Sequence, residues 1–400
     1  MVTHCPDFLV IGLGAMGSAI TCQLARQGAK VVAIDQFTPP HTHGSTHGES
    51  RITRQAVGEG LALVPLVMRS HQLWREMEAQ TGQVLLNACG GLLIAREGES
   101  AALHGLNDFL GRTFHAANTF GIAHEQLDAA DIAARYPQFV LGGDEVAYFE
   151  PGAGVLYPEA CVQAQLMLAA RHGATLNFGE TVQHISINGG RARVETDRAR
   201  YAPGTTIVAA GAWTPQLLPS LAATLIVRRQ VMHWFALDDT MPLASTYMPG
   251  NFPVFIWLWG SDEGASFYGF PDIGADGAVR AIKVATEQTE HATTPEAINR
   301  SVSAAETEAM FQRHVLGKLR GVTAQSVRAA TCMYTVAPAA NFIIDRLPEA
   351  NDVIVVSACS GHGFKHSAGI GEAVAQMAME KLTPAVLEPF GYAASSGMTA

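Results

Sequence analysis

Between residues 7 and 37 one stretch, DFLVIGLGAMGSAITCQLARQGAKVVAIDQF, leaves little choice of fold. The apolar run Phe8–Ile11 reads as a buried parallel strand. Glycines follow at once as Gly12-x-Gly14-x-x-Gly17, and Met16, Ile20 and Leu24 recur at helical spacing. Gly28 is placed to stop that helix, and a second apolar strand over 31–34 ends in Asp35. Each part has a mechanical reason. Gly12 makes the tight turn, Gly14 lets the backbone approach a pyrophosphate, and Gly17 allows close helix–strand packing. The helix start offers unpaired N–H groups to phosphates, and Asp35 can accept hydrogen bonds from a ribose. The glycines alone are a weak sign. Strand, glycines, helix, strand and acid in this order predict a Rossmann-type dinucleotide-binding unit. The acid also disfavours a ribose 2′-phosphate, which argues against NADP and leaves FAD and NAD open.

The remainder of the 400 residues must enclose more than one core, as two or three domains or one two-lobed α/β unit. Hydrophobic residues make up 48% and charged ones 16%, which excludes a disordered or fibrous chain. A formal charge of −10 argues against nucleic acid as a partner, because phosphate binding calls for a basic face. It leaves room for an anionic small molecule held by one or two local cations. No apolar run reaches the eighteen or so residues of a membrane helix, and few residues precede the first strand. A soluble, cytoplasmic protein without a signal peptide or membrane association is therefore expected. The six cysteines are scattered and form no Cys-x-x-Cys pair, so neither disulfides nor a metal site is expected.

Further along, 38–55 reads as a long Pro-, Gly- and His-containing loop, 63–81 as a helix, 91–95 as a strand and 99–138 as helical and polar. A helix over 158–172 precedes short strands near 176–178, 182–187 and 191–195. The run 206–213 reads as a strand returning to the first one. Between 228 and 287 runs of β-formers are separated by Gly, Asp and Pro, which predicts an inserted antiparallel sheet. Residues 296–319 read as helical, 342–345 and 353–358 as strands, and 363–381 as a helix. The fold class is thus α/β: a Rossmann-type lobe (1–85, 145–220 and 325–390) with an antiparallel substrate lobe (86–144 and 221–324).

Four segments together resemble the monomeric sarcosine oxidase and N-methyltryptophan oxidase family of FAD-dependent amine oxidases, in the D-amino-acid oxidase superfamily. They are the fingerprint with Asp35, residues 39–54 (PPHTHGSTHGESRITR), residues 331–335 (TCMYT) and residues 360–365 (SGHGFK). A weaker match joins 267–271 (FYGFP) to Lys283. The resemblance covers nearly the whole chain and implies bound FAD, attached covalently through Cys332. It places Gly12, Gly14, Met16, Gly17, Asp35, Ser45, His47, Arg51, Gly361, Gly363, Phe364 and Lys365 against the cofactor. A thiolate is a strong soft nucleophile, so a thioether to the flavin is intelligible, although burial as a small hydrophobe is the ordinary fate of such a cysteine.

By the same resemblance, Arg54 and Lys365 hold a substrate carboxylate, a role suited to a guanidinium fork and an ammonium point charge. Arg51 stands beside the flavin ring, Lys283 stabilises the superoxide formed on the way to hydrogen peroxide, and Tyr268 and Tyr334 line the pocket. The chain departs from the family at Glu287, where relatives have a histidine; this carboxylate could pair with a substrate ammonium or take its proton. Trp257 and Trp259 could close an aromatic wall or pack in the core. The implied activity is oxidation of an N-methyl or cyclic amino acid by O₂, in a monomer, giving an imine that water converts to aldehyde and amine. A flavin dehydrogenase with another acceptor, an NAD-linked dehydrogenase and a non-catalytic flavin- or amino-acid-binding protein are the alternatives.

Overall fold

A computed structural model describes residues 2–260, 264–274 and 279–392. Phe8–Ile11 lies in the middle of a six-stranded sheet. On one side it pairs in parallel with Val31–Asp35 and then Thr175–Phe178; on the other come Thr205–Val208 and Ala350–Ser357. Ile343–Leu347 closes the far edge antiparallel. Leu9, Val10, Ile207 and Ile354 have no exposed surface, as expected of strands covered on both faces. Helix Ala15–Arg26 packs against Pro158–Arg171 and Ser367–Glu380. Gly371 makes the second contact possible, since a Cβ there would stand 2.5 Å from that of Ala19. Early, middle and late segments therefore build one sheet.

An eight-stranded sheet forms the other lobe, in the order Val322–Val336, Ile226–Leu237, Ala281–Ala285, Ser266–Gly269, Val254–Leu258, Gly91–Arg96, Glu145–Glu150, Glu125–Asp128. Its pairings are antiparallel apart from Val254–Leu258 with Gly91–Arg96, which run parallel, so this sheet is mixed where a purely antiparallel one is expected from the sequence. An aromatic core of Phe139, Phe252, Phe255, Trp257 and Phe267 fills its far face.

Three stretches differ from the sequence expectation. Residues 99–138 are not continuously helical: Phe109–Phe120 ends at Gly121 in the left-handed region, and the strand Glu125–Asp128 intervenes before Ala129–Arg135. Residues 296–319 turn helical only at Ala304–Met310, behind a Ser303–Glu306 capping box, and continue as the π-turn Phe311–Val315. The stretch before it makes a turn at 295–297 and then runs without regular structure, where Arg229 donates to the carbonyls of Asn299 and Ser301, at 2.7 and 2.8 Å. The strand Val322–Val336 crosses the boundary expected at 325. It pairs along the length of Ile226–Leu237 through two irregularities in register, and its mix of polar and apolar residues hid it.

Candidate active site

The glycine turn is a close approach of backbones. Gly12 has φ +89°, and a Cβ on it would stand 2.6 Å from the carbonyl oxygen of Ala209. A Cβ on Gly17 would meet the Gly12 carbonyl oxygen at 1.7 Å, so helix and strand can touch only through glycine. Asp35 accepts hydrogen bonds from the Leu13 and Phe37 N–H groups, both at 2.8 Å, and His41 Nε2 lies 3.7 Å from its carboxylate. From here a cavity of about 440 Å³ runs past Gly14, Met16, Ser45 and Arg51 to Cys332, and on to Lys365 and Glu287. Thr335 Oγ1 and Ser357 Oγ line it, are buried and have no hydrogen-bond partner among the described residues. Buried hydroxyls of this kind fit a polar ligand such as a dinucleotide, as does the unobstructed glycine turn.

At mid-cavity stand two cations and a thiol. Arg51 is held by the carbonyls of Ser45 and Ser50, each at 2.7 Å. Lys283, from strand Ala281–Ala285, donates to the carbonyls of Gly48 (2.8 Å) and Ser50 (2.7 Å) and lies over the Phe270 ring. Burial, with Arg51 adding, pulls its ammonium well below the usual lysine range. Cys332, on strand Val322–Val336, is 2% exposed, and burial pushes its thiol up to about 11. The nearby Arg51 and Lys283 favour the thiolate and act against that rise.

At the far end Arg54 and Lys365 do meet, but across a third residue that sequence reading passed over. Glu59 takes Arg54 Nη2 on one oxygen and Lys365 Nζ on the other, both at 2.9 Å, and all three side chains are buried. Lys365 also donates to the His362 carbonyl, 3.0 Å away. Burial opposes ionisation of Glu59, yet Arg54 and Lys365 outweigh it and hold the carboxyl well below its ordinary range. Burial lowers Lys365 to about 8. The trio therefore carries one net positive charge at neutral pH. Across the pocket the Tyr268 and Tyr334 hydroxyls are 3.3 Å apart. Glu287 Oε1 lies 3.0 Å from His104 Nδ1.

Of the residues expected at the site, Gly12, Gly14, Met16, Asp35, Ser45, Arg51, Arg54, Tyr268, Lys283, Glu287, Cys332, Tyr334, Gly361, Gly363, Phe364 and Lys365 all border this cavity. Gly17 and His47 do not; Gly17 acts through packing, and His47 is buried, its imidazole driven down to about 3 by burial and Arg51. Trp257 and Trp259 also lie off the cavity and pack on Phe267 instead. Sequence reading missed Glu59 and His104. Glu59 had a usable signal, an acid between Gly58 and Gly60 five residues after Arg54. His104 had none, because its loop was read as helix.

The family model described as FAD dependent oxidoreductase (DAO) matches residues 7–377. The chain belongs to that family. It is 38% identical to a monomeric sarcosine oxidase of Streptomyces avermitilis, over 96% of both chains. It is 33% identical to an N-methyl-L-tryptophan oxidase of Yersinia pestis, over 97% of this chain and 98% of the other. Among solved structures, the open form of NikD, an unusual amino acid oxidase essential for nikkomycin biosynthesis, superposes with a TM-score of 0.82 at 22% identity, covering 97% of each chain. That likeness establishes the fold. The chain is an FAD-dependent oxidoreductase, and no helix among its described residues is long and apolar enough to cross a membrane.

Proposed function

We propose that this enzyme is an oxidase of a secondary amino acid, N-methylated or cyclic, with its FAD held covalently through Cys332. The observation that carries the reading is the buried Arg54–Glu59–Lys365 trio, whose single net positive charge stands in the same cavity as the dinucleotide fingerprint. One carboxylate arriving from solution balances that charge, and the guanidinium and ammonium supply donors that fix its orientation. When bound, FAD supplies the two-electron acceptor for oxidation of the carbon next to nitrogen.

The chain's own residues do the rest. The Gly12–Gly17 turn and helix start receive the pyrophosphate, and Asp35 keeps lone pairs for a ribose. Arg51 and Lys283 place positive charge at mid-cavity, where it stabilises negative charge developing on the acceptor or on O₂. Tyr268 and Tyr334 stay neutral, since burial raises both phenols, and form a wall that excludes water while the amine is oxidised. Hydrolysis of the imine product then gives aldehyde and amine, and O₂ leaves as hydrogen peroxide. A buried lysine beside the thiol supports oxygen over another acceptor.

A panel of N-methyl amino acids, proline and pipecolate, each paired with its decarboxylated counterpart and assayed for peroxide, tests the reading. The acids should turn over and the decarboxylated amines should be poor substrates. Equal turnover of both sets would remove the carboxylate clamp from the account.

A further inference from the structure

Glu287 and His104 come from segments far apart in sequence and meet only at the cavity. Glu287 follows strand Ala281–Ala285, and His104 sits at φ 53° in the turn closed by Leu103 and Leu106. Their hydrogen bond spans 3.0 Å, their side chains are 19% and 10% exposed, and both border the cavity. Gly361 leaves the pair its space: a Cβ there would stand 3.1 Å from Glu287 Oε1 and 3.2 Å from His104 Cε1.

The groups facing the pair cannot themselves take a proton near neutrality. Tyr268 and Tyr334 are protonated phenols, raised by burial. The His362 ring lies 5.1 Å from that of His104, but burial and Lys365 drive it down to about 3, and its Nε2 is 2.8 Å from the Ala340 carbonyl. Glu59 is committed to Arg54 and Lys365. The pocket lining thus combines a carboxylate backed by an imidazole with a net cation.

We propose that Glu287 is the proton acceptor for the substrate ammonium and that His104 is its positioning residue, so that the amino acid enters as a zwitterion and is oxidised as a neutral amine. This deepens the amine-oxidase reading and rests on it. The proton passes from the substrate nitrogen to Glu287, the N–H bond breaks, and its electron pair stays on nitrogen. His104 donates from Nδ1 to the other carboxylate oxygen and fixes the direction of the acceptor. A free secondary amine holds its proton up to a pH of about 10, the range of an aliphatic ammonium such as lysine's, so without an acceptor only a small fraction reacts at pH 7.

The test is the limiting rate of anaerobic flavin bleaching in the holoenzyme from pH 6 to 10, for wild type, Glu287→Gln, Glu287→Asp and His104→Asn. Wild type should be nearly level from pH 7 upward. Glu287→Gln should fall roughly 1,000-fold at pH 7 and climb about tenfold per pH unit toward the amine's own pKa near 10. Glu287→Asp should restore the level profile, and His104→Asn should shift the acid limb without producing the steep climb. A carboxylate ligand with a thioether sulfur in place of the amine nitrogen, titrated by its perturbation of the flavin spectrum, should bind wild type and Glu287→Gln equally. A Glu287→Gln profile parallel to wild type, with only substrate affinity changed, overturns the proposal while leaving the amine-oxidase reading intact. Failure of every secondary amine to bleach the wild-type flavin at any pH overturns both.

Discussion

The two ends of the cavity are built on opposite plans. The dinucleotide end is made of backbone: a strand, a glycine turn and a helix start within residues 8–35, where Gly12, Gly17 and Asp35 each act on a neighbour close in sequence or one strand away. The end proposed for the substrate is made of buried charge. Arg54, Glu59, His104, Glu287 and Lys365 arrive from four separate stretches and hold one another by ion pairs and, at His104 and Glu287, by a hydrogen bond. Backbone geometry tolerates almost no substitution, because a single methyl has nowhere to go. Charge geometry tolerates change, provided each buried charge keeps a partner. Within one cavity the first plan suits a ligand that never varies, and the second suits a substrate that differs between relatives.

The sharpest way to break this contrast is at the backbone end. Gly17→Ala would drive a methyl into the Gly12 carbonyl at 1.7 Å, where the obstructing atoms are backbone and no flexible side chain can yield. A loss on the order of 3 kcal/mol or more is expected, and protein recovered at all should lack flavin absorbance. A soluble, yellow Gly17→Ala protein would show that the turn has slack.

Next in size is Lys283→Met. Loss of a buried positive charge should slow reoxidation by O₂ by roughly 10²–10³-fold while anaerobic reduction by the amine changes little, as followed by stopped flow. Equal slowing of both half-reactions would put Lys283 against the substrate. Lys365→Met comes third, at roughly 30- to 150-fold in kcat/KM, from the loss of about 2–3 kcal/mol of charge-assisted hydrogen bonding. Because Lys365 is lowered to about 8, its charged form prevails below that pH and is lost above it, so wild-type kcat/KM should fall on the alkaline side near pH 8. Lys365→Arg should move that limb beyond pH 10.

The smallest effect is at Asp35. Asp35→Asn keeps the shape but leaves one of the Leu13 and Phe37 N–H groups facing an amide N–H, at a cost of about 1–2 kcal/mol in thermal stability. If its effect exceeded that of Lys365→Met on flavin content, the acid would be holding cofactor more than backbone.

What could be read from the sequence follows the same division. The parallel sheet was legible because its strands are continuous apolar runs and its turn needs glycine at fixed offsets. The loop around His104 was not, because 99–108 contains enough Ala, Leu and Glu to look helical, whereas it is held open by the Leu103–Leu106 bridge, the Ala102 N–H bond to the Gly260 carbonyl and the His104–Glu287 contact. The strand Val322–Val336 escaped for a related reason: its register slips twice, so alternation in sequence does not match alternation in space. Arg54 and Lys365 were found through motif likeness, whereas Glu59 had only its place between two glycines near Arg54, and its pairing with both cations shows only in the fold. Partners of buried charges are a property of the folded arrangement, not of local spacing.

The most direct measurement is the visible spectrum of the purified holoenzyme under anaerobic titration with a secondary amino acid. The expected result is a yellow protein that bleaches on adding the amine and regains its colour with O₂, releasing one hydrogen peroxide per flavin reoxidised. A colourless protein, or a yellow one that no secondary amino acid bleaches, would contradict it.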